Sequence, residues 1–92
     1  MYVEANKVSF LISGSFSLKD KRSVVKSMIN KLQNKFNVSV SEVDDQELLN
    51  KATIGIALVS NNAQFNKDVF ESIITFIESN YEVEIILVES YY

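Results

Sequence analysis

The sequence contains no cysteine, histidine, proline or tryptophan, and only two of its 92 residues are glycine. Without cysteine there is no disulfide, no thiolate nucleophile and no thiolate zinc site. Without histidine there is no Ser-His-Asp triad and no imidazole that exchanges protons near neutral pH. These absences exclude the commonest catalytic machinery, and we expect a non-enzymatic protein without a cofactor.

Long hydrophobic runs are also missing. The longest uninterrupted apolar pieces are short, such as residues 85–88, whereas a membrane helix needs about 20 apolar residues. Residues 1–4 lack the basic leader and the apolar core of a signal peptide. We therefore expect a cytoplasmic protein with no membrane segment. A length of 92 residues predicts a single small domain over residues 1–92, and an apolar fraction of 47% with a charged fraction of 23% is ordinary for a globular fold.

Hydrophobic periodicity divides the chain into six elements. Alternation predicts strands over 2–13, from 36 into 44, over 52–60 and over about 81–90. Apolar residues at steps of three and four predict amphipathic helices over about 18–35 and 63–79. Ser17 and the pair Asn61-Asn62 are suitable helix starts. Residues 45–51 form a polar connector, in which Leu48 and Leu49 are expected to anchor one turn.

The element order β-α-β-β-α-β predicts an α+β ferredoxin-like sandwich, with both helices on one face of a four-stranded antiparallel sheet. Right-handed crossovers place the first and third strands in the middle. Phe10 faces the helices, and the phenylalanines at positions 36, 65, 70 and 76 are expected mainly in the core. No aromatic platform remains on the open face for RNA bases to stack on, as they do on an RRM. The open-face residues of the two central strands are Ser9, Leu11, Ser13, Gly55, Ala57 and Val59.

The charge of the chain is unevenly distributed. A net charge of −3 and a pI near 4.8 argue against a general nucleic-acid binder, and no DNA contact is expected. However, seven of the nine basic residues lie within the first 46 positions. Lys19, Arg22 and Lys26 fall within roughly 60° of one another on the first helix, at 100° per residue. They form a basic ridge that starts at a positive helix N-terminus.

The basic ridge has two interpretations. In the first it contacts phosphate or an RNA backbone, helped by the hydroxyls of Ser15 and Ser17; the contact residues would be Ser17, Lys19, Lys21, Arg22 and Lys26. In the second it is a solvated face that contributes little, whose lysines pair with Glu42, Asp44 and Asp45. Lys21 lies close to the apolar side of the helix, so we expect it to reach out from the helix end or to pair with a carboxylate.

The open face of the sheet is the candidate interface. With the predicted strand order, an apolar patch forms there, and such a patch usually marks an interface. We expect a homodimer that packs sheet on sheet. The alternative is a smaller patch, or one capped by Tyr91 and Tyr92. The interface candidates are Leu11, Ala57, Val59, Ile86 and Val88.

The densest carboxylate group follows the second strand and comprises Glu42, Asp44, Asp45 and Glu47. Alternation sends Glu42 and Asp44 to the same side of an edge strand, near the basic residues of the first helix. A network of ion pairs is the favoured interpretation. A Mg²⁺ site and acid-base chemistry by a buried carboxyl are alternatives, but the spacing matches no EF-hand and no second group of ligands is apparent, so we expect no metal.

Several short strings of residues occur in register along the chain. The string SLKDKRSVVKS at 17–27 is followed by FNVSV at 36–40, EVD at 42–44, Gln46, KAT at 51–53 and VSN at 59–61. Together they resemble the YlxP-like family, a bacterial family of unknown function, over residues 2–90. Members often carry histidine at the position of Asp45. If that histidine has a chemical role, this chain cannot share it.

The resemblance implies a small ferredoxin-like protein with no established catalytic residues. Genes of the family commonly lie beside genes for translation initiation and ribosome maturation, which implies a role linked to translation or RNA, although this fold hosts many functions. We expect a non-enzymatic binding protein that contacts the ribosome or RNA through the basic ridge. The alternative is a homo-oligomeric small-ligand or regulatory module, assembled through the open sheet face, with residues 44–51 as the ligand site.

Overall fold

Six elements make up the protein in a computed structural model that describes residues 1–14 and 17–91. The strands are β1 (Tyr2–Ile12), β2 (Ser39–Asp44), β3 (Lys51–Ser60) and β4 (Val83–Ser90), and the helices are α1 (Leu18–Phe36) and α2 (Ala63–Asn80). The predicted order and type of every element are confirmed. Ser15 and Tyr92, which the sequence suggested as an anion contact and as part of a cap, lie outside the described residues.

The four strands form one antiparallel sheet in the order β2-β3-β1-β4. The first and third strands lie in the middle, as the crossover rule predicts. Together with the two helices, this order confirms the ferredoxin-like α+β fold. Neither α1 nor α2, both within the described ranges, is long and apolar enough to cross a bilayer.

Both helices begin at side-chain caps. The Ser17 hydroxyl accepts a hydrogen bond from the backbone N–H of Asp20 at 3.1 Å, and Asn62 Oδ1 accepts one from Phe65 N–H at 3.0 Å. Each satisfies an N–H that has no partner within its own helix. Helix α1 ends at Asn37, whose φ of 53° is the left-handed conformation of many C-caps.

The core lies between the helices and one face of the sheet. Its fully buried members come from both central strands and both helices: Val8, Phe10, Ala52, Ile54, Met28, Leu32, Ile73 and Ile77. At one end of the helix pair, the rings of Phe36 and Phe76 meet edge to face, with centroids 5.9 Å apart. The prediction that Phe65 is a core residue is wrong, because it lies in the first turn of α2 and its side chain is 56% exposed. Leu48 and Leu49 are also exposed, and the turn at residues 45–48 is closed by the backbone N–H of Leu48, which donates to the Asp45 carbonyl at 3.1 Å.

Two bulges interrupt the alternation of the edge strands. In β4 the register shifts so that Phe10 pairs with Ile85 and Ser9 pairs with Leu87, which leaves Ile86 as the extra residue. Beyond the bulge Val88 pairs with Val8, a core residue. Directly paired residues point to the same face, so Val88 does not share the open face with Leu11. The β4 residue on the open face at this point is Leu87, which pairs with Ser9.

The second bulge lies in β2. Glu42 pairs with Ile54 on the core face, whereas Asp44 pairs with Thr53 on the open face, and Val43 is the extra residue between them. The expectation that Glu42 and Asp44 point to the same side is therefore wrong. An extra residue in a strand turns the following side chains to the opposite face, and nothing in the alternating pattern of the sequence marks its position.

Candidate functional site

Lys21 is the centre of a polar cluster at the end of the sheet where α1 begins. The other members of the cluster are Ser9, Glu42, Asp45, Lys51 and Thr53. Its side chain is fully buried, and its Nζ lies 3.1 Å from Glu42 Oε2. The same Nζ donates a hydrogen bond to the backbone carbonyl of Asp45. The prediction that Lys21 pairs with a carboxylate is confirmed. Because a buried ammonium cannot reach a surface ligand, Lys21 leaves the set of candidate anion contacts.

Asp45 links the two faces of the sheet at this end. Its φ of 60° is left-handed, so its carbonyl faces Lys21 while its carboxylate reaches the open face. Asp45 Oδ2 accepts a hydrogen bond of 2.6 Å from Thr53 Oγ1 and lies 3.5 Å from Lys51 Nζ. The Thr53 hydroxyl, helped by Lys51 and Lys21 and opposed by partial desolvation, lowers the pKa of the Asp45 carboxyl below 3.8. The carboxylate is therefore ionised at neutral pH.

A second hydroxyl extends this chain of hydrogen bonds into the sheet. Ser9 Oγ lies 2.8 Å from Thr53 Oγ1, and both residues are buried. Since the only proton of the Thr53 hydroxyl is donated to Asp45, Ser9 must be the donor to Thr53. The order is thus Ser9 to Thr53 to Asp45. This arrangement fixes the connector against β3, and each hydroxyl in it is satisfied.

The four carboxylates that follow one another in the sequence are dispersed in space. Glu42 contacts Lys21 on the core side, and Asp44 Oδ1 accepts a hydrogen bond of 2.8 Å from Asp45 N–H. Glu47 lies on the surface, 3.9 Å from Arg22. Among residues 1–14 and 17–91, no group of three or more acidic side chains is placed to hold a metal ion. The cluster is a network of ion pairs and hydrogen bonds, which is the interpretation that the sequence favoured.

The exposed side of α1 carries the rest of the predicted basic ridge. Lys19, Arg22 and Lys26 are all solvent exposed. Arg22 and Glu47 form an ion pair at 3.9 Å, with their side chains 59% and 80% exposed, and such a pair contributes little and is screened by salt. Ser17, the remaining candidate contact, uses its hydroxyl oxygen as the cap of α1.

Two other lysines of α1 lie over aromatic rings. Lys31 Nζ is 5.7 Å from the centroid of Tyr81, and Lys35 Nζ is 5.7 and 5.8 Å from those of Phe36 and Phe76. These distances are within the range of cation–π contacts. Lys31 and Lys35 therefore belong to a side of α1 that differs from the one bearing the basic ridge.

Three members of the polar cluster were missed in the sequence, namely Ser9, Thr53 and Lys51. All three lie in central strands, where alternation shows which face a residue occupies but not which loop covers it. The contacts depend on the left-handed backbone of Asp45. The sequence did contain one signal for this conformation, namely the aspartate at position 45. Asparagine and aspartate are the residues other than glycine that most readily adopt a left-handed backbone.

The fold and the polar cluster together define a small ferredoxin-like α+β protein whose connector is held beneath a basic helix by ionic and hydroxyl contacts. The chain belongs to a family described as "Protein of unknown function (DUF503)", whose model matches residues 3–90. It is 38% identical over 74 residues to a Bacillus subtilis (strain 168) protein described as "Uncharacterized protein YlxP", a match that covers 80% of each chain. The predicted resemblance to the YlxP-like family is confirmed.

Proposed function

We propose that this protein is a non-enzymatic, cytoplasmic binding protein that contacts RNA, free or within ribosomal particles, through the exposed face of α1. The contacts are made by Lys19, Arg22 and Lys26, which we call the α1 basic face. Their ammonium and guanidinium groups would lie against backbone phosphates. Arginine binds phosphate with a planar fork, whereas the two lysines act as mobile point charges.

The observation that carries the proposal is the absence of acidic side chains around Lys19 on the exposed side of α1, where the one acidic residue of the helix, Asp20, lies about 100° away. At 100° per residue, positions within about 60° of Lys19 hold only cationic, amide and hydroxyl groups. These residues are Lys19, Arg22, Ser23, Lys26, Asn30, Gln33 and Asn34. The chain as a whole is acidic, with a net charge of −3, so average composition does not account for a cationic and neutral face.

The packing beneath α1 also supports this interpretation. Lys21 is on the opposite side of the helix, and its contacts with Glu42 and the Asp45 carbonyl fix the helix to the end of the sheet. The exposed residues of the same turns are thereby presented on a rigid element, which reduces the conformational entropy lost on binding. Glu47, the partner of Arg22, is on an exposed connector, and a phosphate group can replace it at low cost.

The number of charges sets the strength of the expected binding. With a rise of 1.5 Å per residue, the α1 basic face spans about 10 Å of helix. Three phosphate contacts on single-stranded RNA give a slope of about −2 when the logarithm of the association constant is plotted against that of the salt concentration. We therefore expect weak, salt-sensitive binding that responds to the backbone rather than to the base sequence.

The test compares two triple charge reversals of equal net charge. In the first, Lys19, Arg22 and Lys26 are all changed to Glu. In the control, the same change is made at Lys31, Lys35 and Lys67, which are exposed cations outside the α1 basic face. Binding to a fluorescent single-stranded RNA is measured by anisotropy between about 50 and 200 mM salt, and association with ribosomal particles by co-sedimentation.

We expect the first variant to lose binding by at least about tenfold, which corresponds to about 1.4 kcal/mol, and the control to lose much less. Equal losses would mean that only net charge matters, and the α1 basic face would not be the site. Wild-type protein that neither binds the RNA at the lowest salt nor co-sediments with ribosomal particles would refute the proposed function itself. Circular dichroism of both variants checks that each is folded.

A further inference from the structure

The open face of the sheet carries large apolar side chains that neither α1 nor α2 covers within residues 1–14 and 17–91. We propose that a second copy of this chain packs on that face, giving a two-fold dimer with both helical layers on the outside. This inference does not depend on the proposed function. It leaves the α1 basic face of each copy exposed, so the two surfaces can be tested separately.

These apolar side chains are exposed at several positions on the open face. Val59 is 59% exposed, Leu87 49%, Val43 48%, Val3 46% and Leu11 38%. They come from all four strands, and the registers place Val3 beside Val59 and Leu87 beside Ser9 on the open face. Transfer of such groups out of water is favourable by about 25 cal/mol per Å², which provides the driving force for association.

The shape of the face suits a second copy of itself. Its middle is a shallow groove of about 360 Å³ whose floor includes Ala5, Gly55 and Ala57. Valines border the groove at one end, and Leu11 and Leu87 lie beyond it at the other. An interface related by a two-fold axis must be complementary to itself. A face with a small-residue centre between bulky ends meets that condition, since the bulky end of one copy can pack over the small residues of the other.

Two polar residues of this face, Lys7 and Thr53, already have partners within the chain. Lys7 lies 3.7 Å from Glu89 and 5.8 Å from the centre of the Tyr91 ring, and Thr53 donates its hydroxyl proton to Asp45. Covering the face therefore leaves neither Lys7 nor Thr53 without a partner, which lowers the cost of burying polar groups. The carboxylate of Glu89 lies beside Lys7 on this face, which disfavours a polyanion as the occupant.

The area of the face is also sufficient. Four strands at about 4.8 Å spacing, with 11, 6, 10 and 8 residues from β1 to β4, give a face of about 19 by 30 Å. Two such faces in contact bury about 1,100 to 1,200 Å², which is near the lower limit for a specific protein interface. We therefore expect a reversible dimer whose population depends on concentration, rather than a permanent one.

The experiment uses single substitutions at equally exposed positions on the two sides of the protein. Val59→Glu and Leu87→Glu each introduce a carboxylate into the open face. Phe65→Glu, at a residue of α2 that is 56% exposed, is the matched control. Sedimentation velocity and light scattering are recorded for each protein from about 1 to about 200 µM, since dimer stability depends on concentration, and circular dichroism checks the fold.

We expect the wild-type protein and Phe65→Glu to shift from monomer to dimer as concentration rises, while Val59→Glu and Leu87→Glu stay monomeric. Wild-type protein that remains monomeric at the highest concentration would overturn the proposal. So would a dimer that Phe65→Glu disrupts and the two open-face variants do not. RNA binding is measured on the same samples. A wild-type protein that stays monomeric but binds RNA would refute the dimer alone, and one that dimerises but does not bind RNA would refute the proposed function alone.

Discussion

Lys21 Nζ lies 3.1 Å from Glu42 Oε2, and the lysine side chain is completely removed from solvent. Among the described residues, this glutamate oxygen accepts no hydrogen bond, so the contact is an ion pair without favourable hydrogen-bond geometry. The hydrogen bond from Lys21 goes instead to the Asp45 carbonyl. One buried cation thus joins α1, β2 and the connector, and its loss would affect all three.

The first prediction concerns this pair. We expect Lys21→Met to lower the free energy of unfolding by about 3 kcal/mol, because removing one partner leaves a largely buried charge unpaired. Adding Glu42→Met should recover a substantial part of that loss, since two apolar groups of similar volume can replace a buried pair. Urea unfolding followed by circular dichroism measures both values, with Lys19→Met as an exposed control on the same helix. A loss below about 0.5 kcal/mol in Lys21→Met, within the range of ordinary surface changes, would show that the pair does not stabilise the fold.

The second prediction concerns the acid sensitivity of the connector. The folded protein holds the pKa of Asp45 below its ordinary value of 3.8, chiefly through the hydrogen bond from Thr53. Because the folded-state pKa is the lower one, the carboxylate stabilises the fold fully above about pH 4 and ceases to do so as pH falls through the folded-state value. We expect Asp45→Asn to be less stable than the wild type at pH 6, and the difference to shrink towards pH 2.

Thr53→Val provides the companion measurement, because it removes the donor while preserving shape. It should bring the pKa of Asp45, measured by NMR titration of the carboxyl carbon, back towards 3.8. Identical pH dependence of unfolding in Asp45→Asn and in the wild type would contradict the role assigned to this carboxylate.

The fold was predictable because each element carries its own periodicity, and the buried position of Lys21 was partly visible in its angle on α1. The two edge-strand bulges were not. Val43 and Ile86 both interrupt regular-looking alternation, and a bulge depends on pairing with a neighbouring strand rather than on the strand's own residues. The face of Val88 was therefore wrongly predicted. The exposure of Phe65 was missed for a related reason, since the spacing of apolar residues does not show that they pack against the core in every turn.

The third prediction follows from the bulge in β2. The Val43 side chain lies over Gly55, and a Cβ added at Gly55 would be 3.1 Å from Val43 Cγ1. Glycine within a strand costs about 0.5–1 kcal/mol relative to alanine, but here the close contact offsets any gain from a side chain. We expect the change in the free energy of unfolding caused by Gly55→Ala to be more stabilising, by at least about 0.5 kcal/mol, in a Val43→Ala background than in the wild type. A double-mutant cycle by urea unfolding measures this coupling, and a value near zero would show that Val43 moves aside freely.

The fourth prediction concerns the start of α2. Asn62 caps this helix with a hydrogen bond to Phe65 N–H, and no acidic residue lies in the first turn. Asn62→Ala should lower the free energy of unfolding by about 1 kcal/mol, because the capped N–H loses its partner. Asn62→Asp keeps the acceptor and adds a negative charge at the positive end of the helix dipole, which is worth about 0.3–1 kcal/mol at low salt. We therefore expect Asp at this position to stabilise the protein at low ionic strength and the gain to fade as salt is added. Thermal unfolding at several salt concentrations measures both effects, and a gain that does not respond to salt would point to a cause other than the helix dipole.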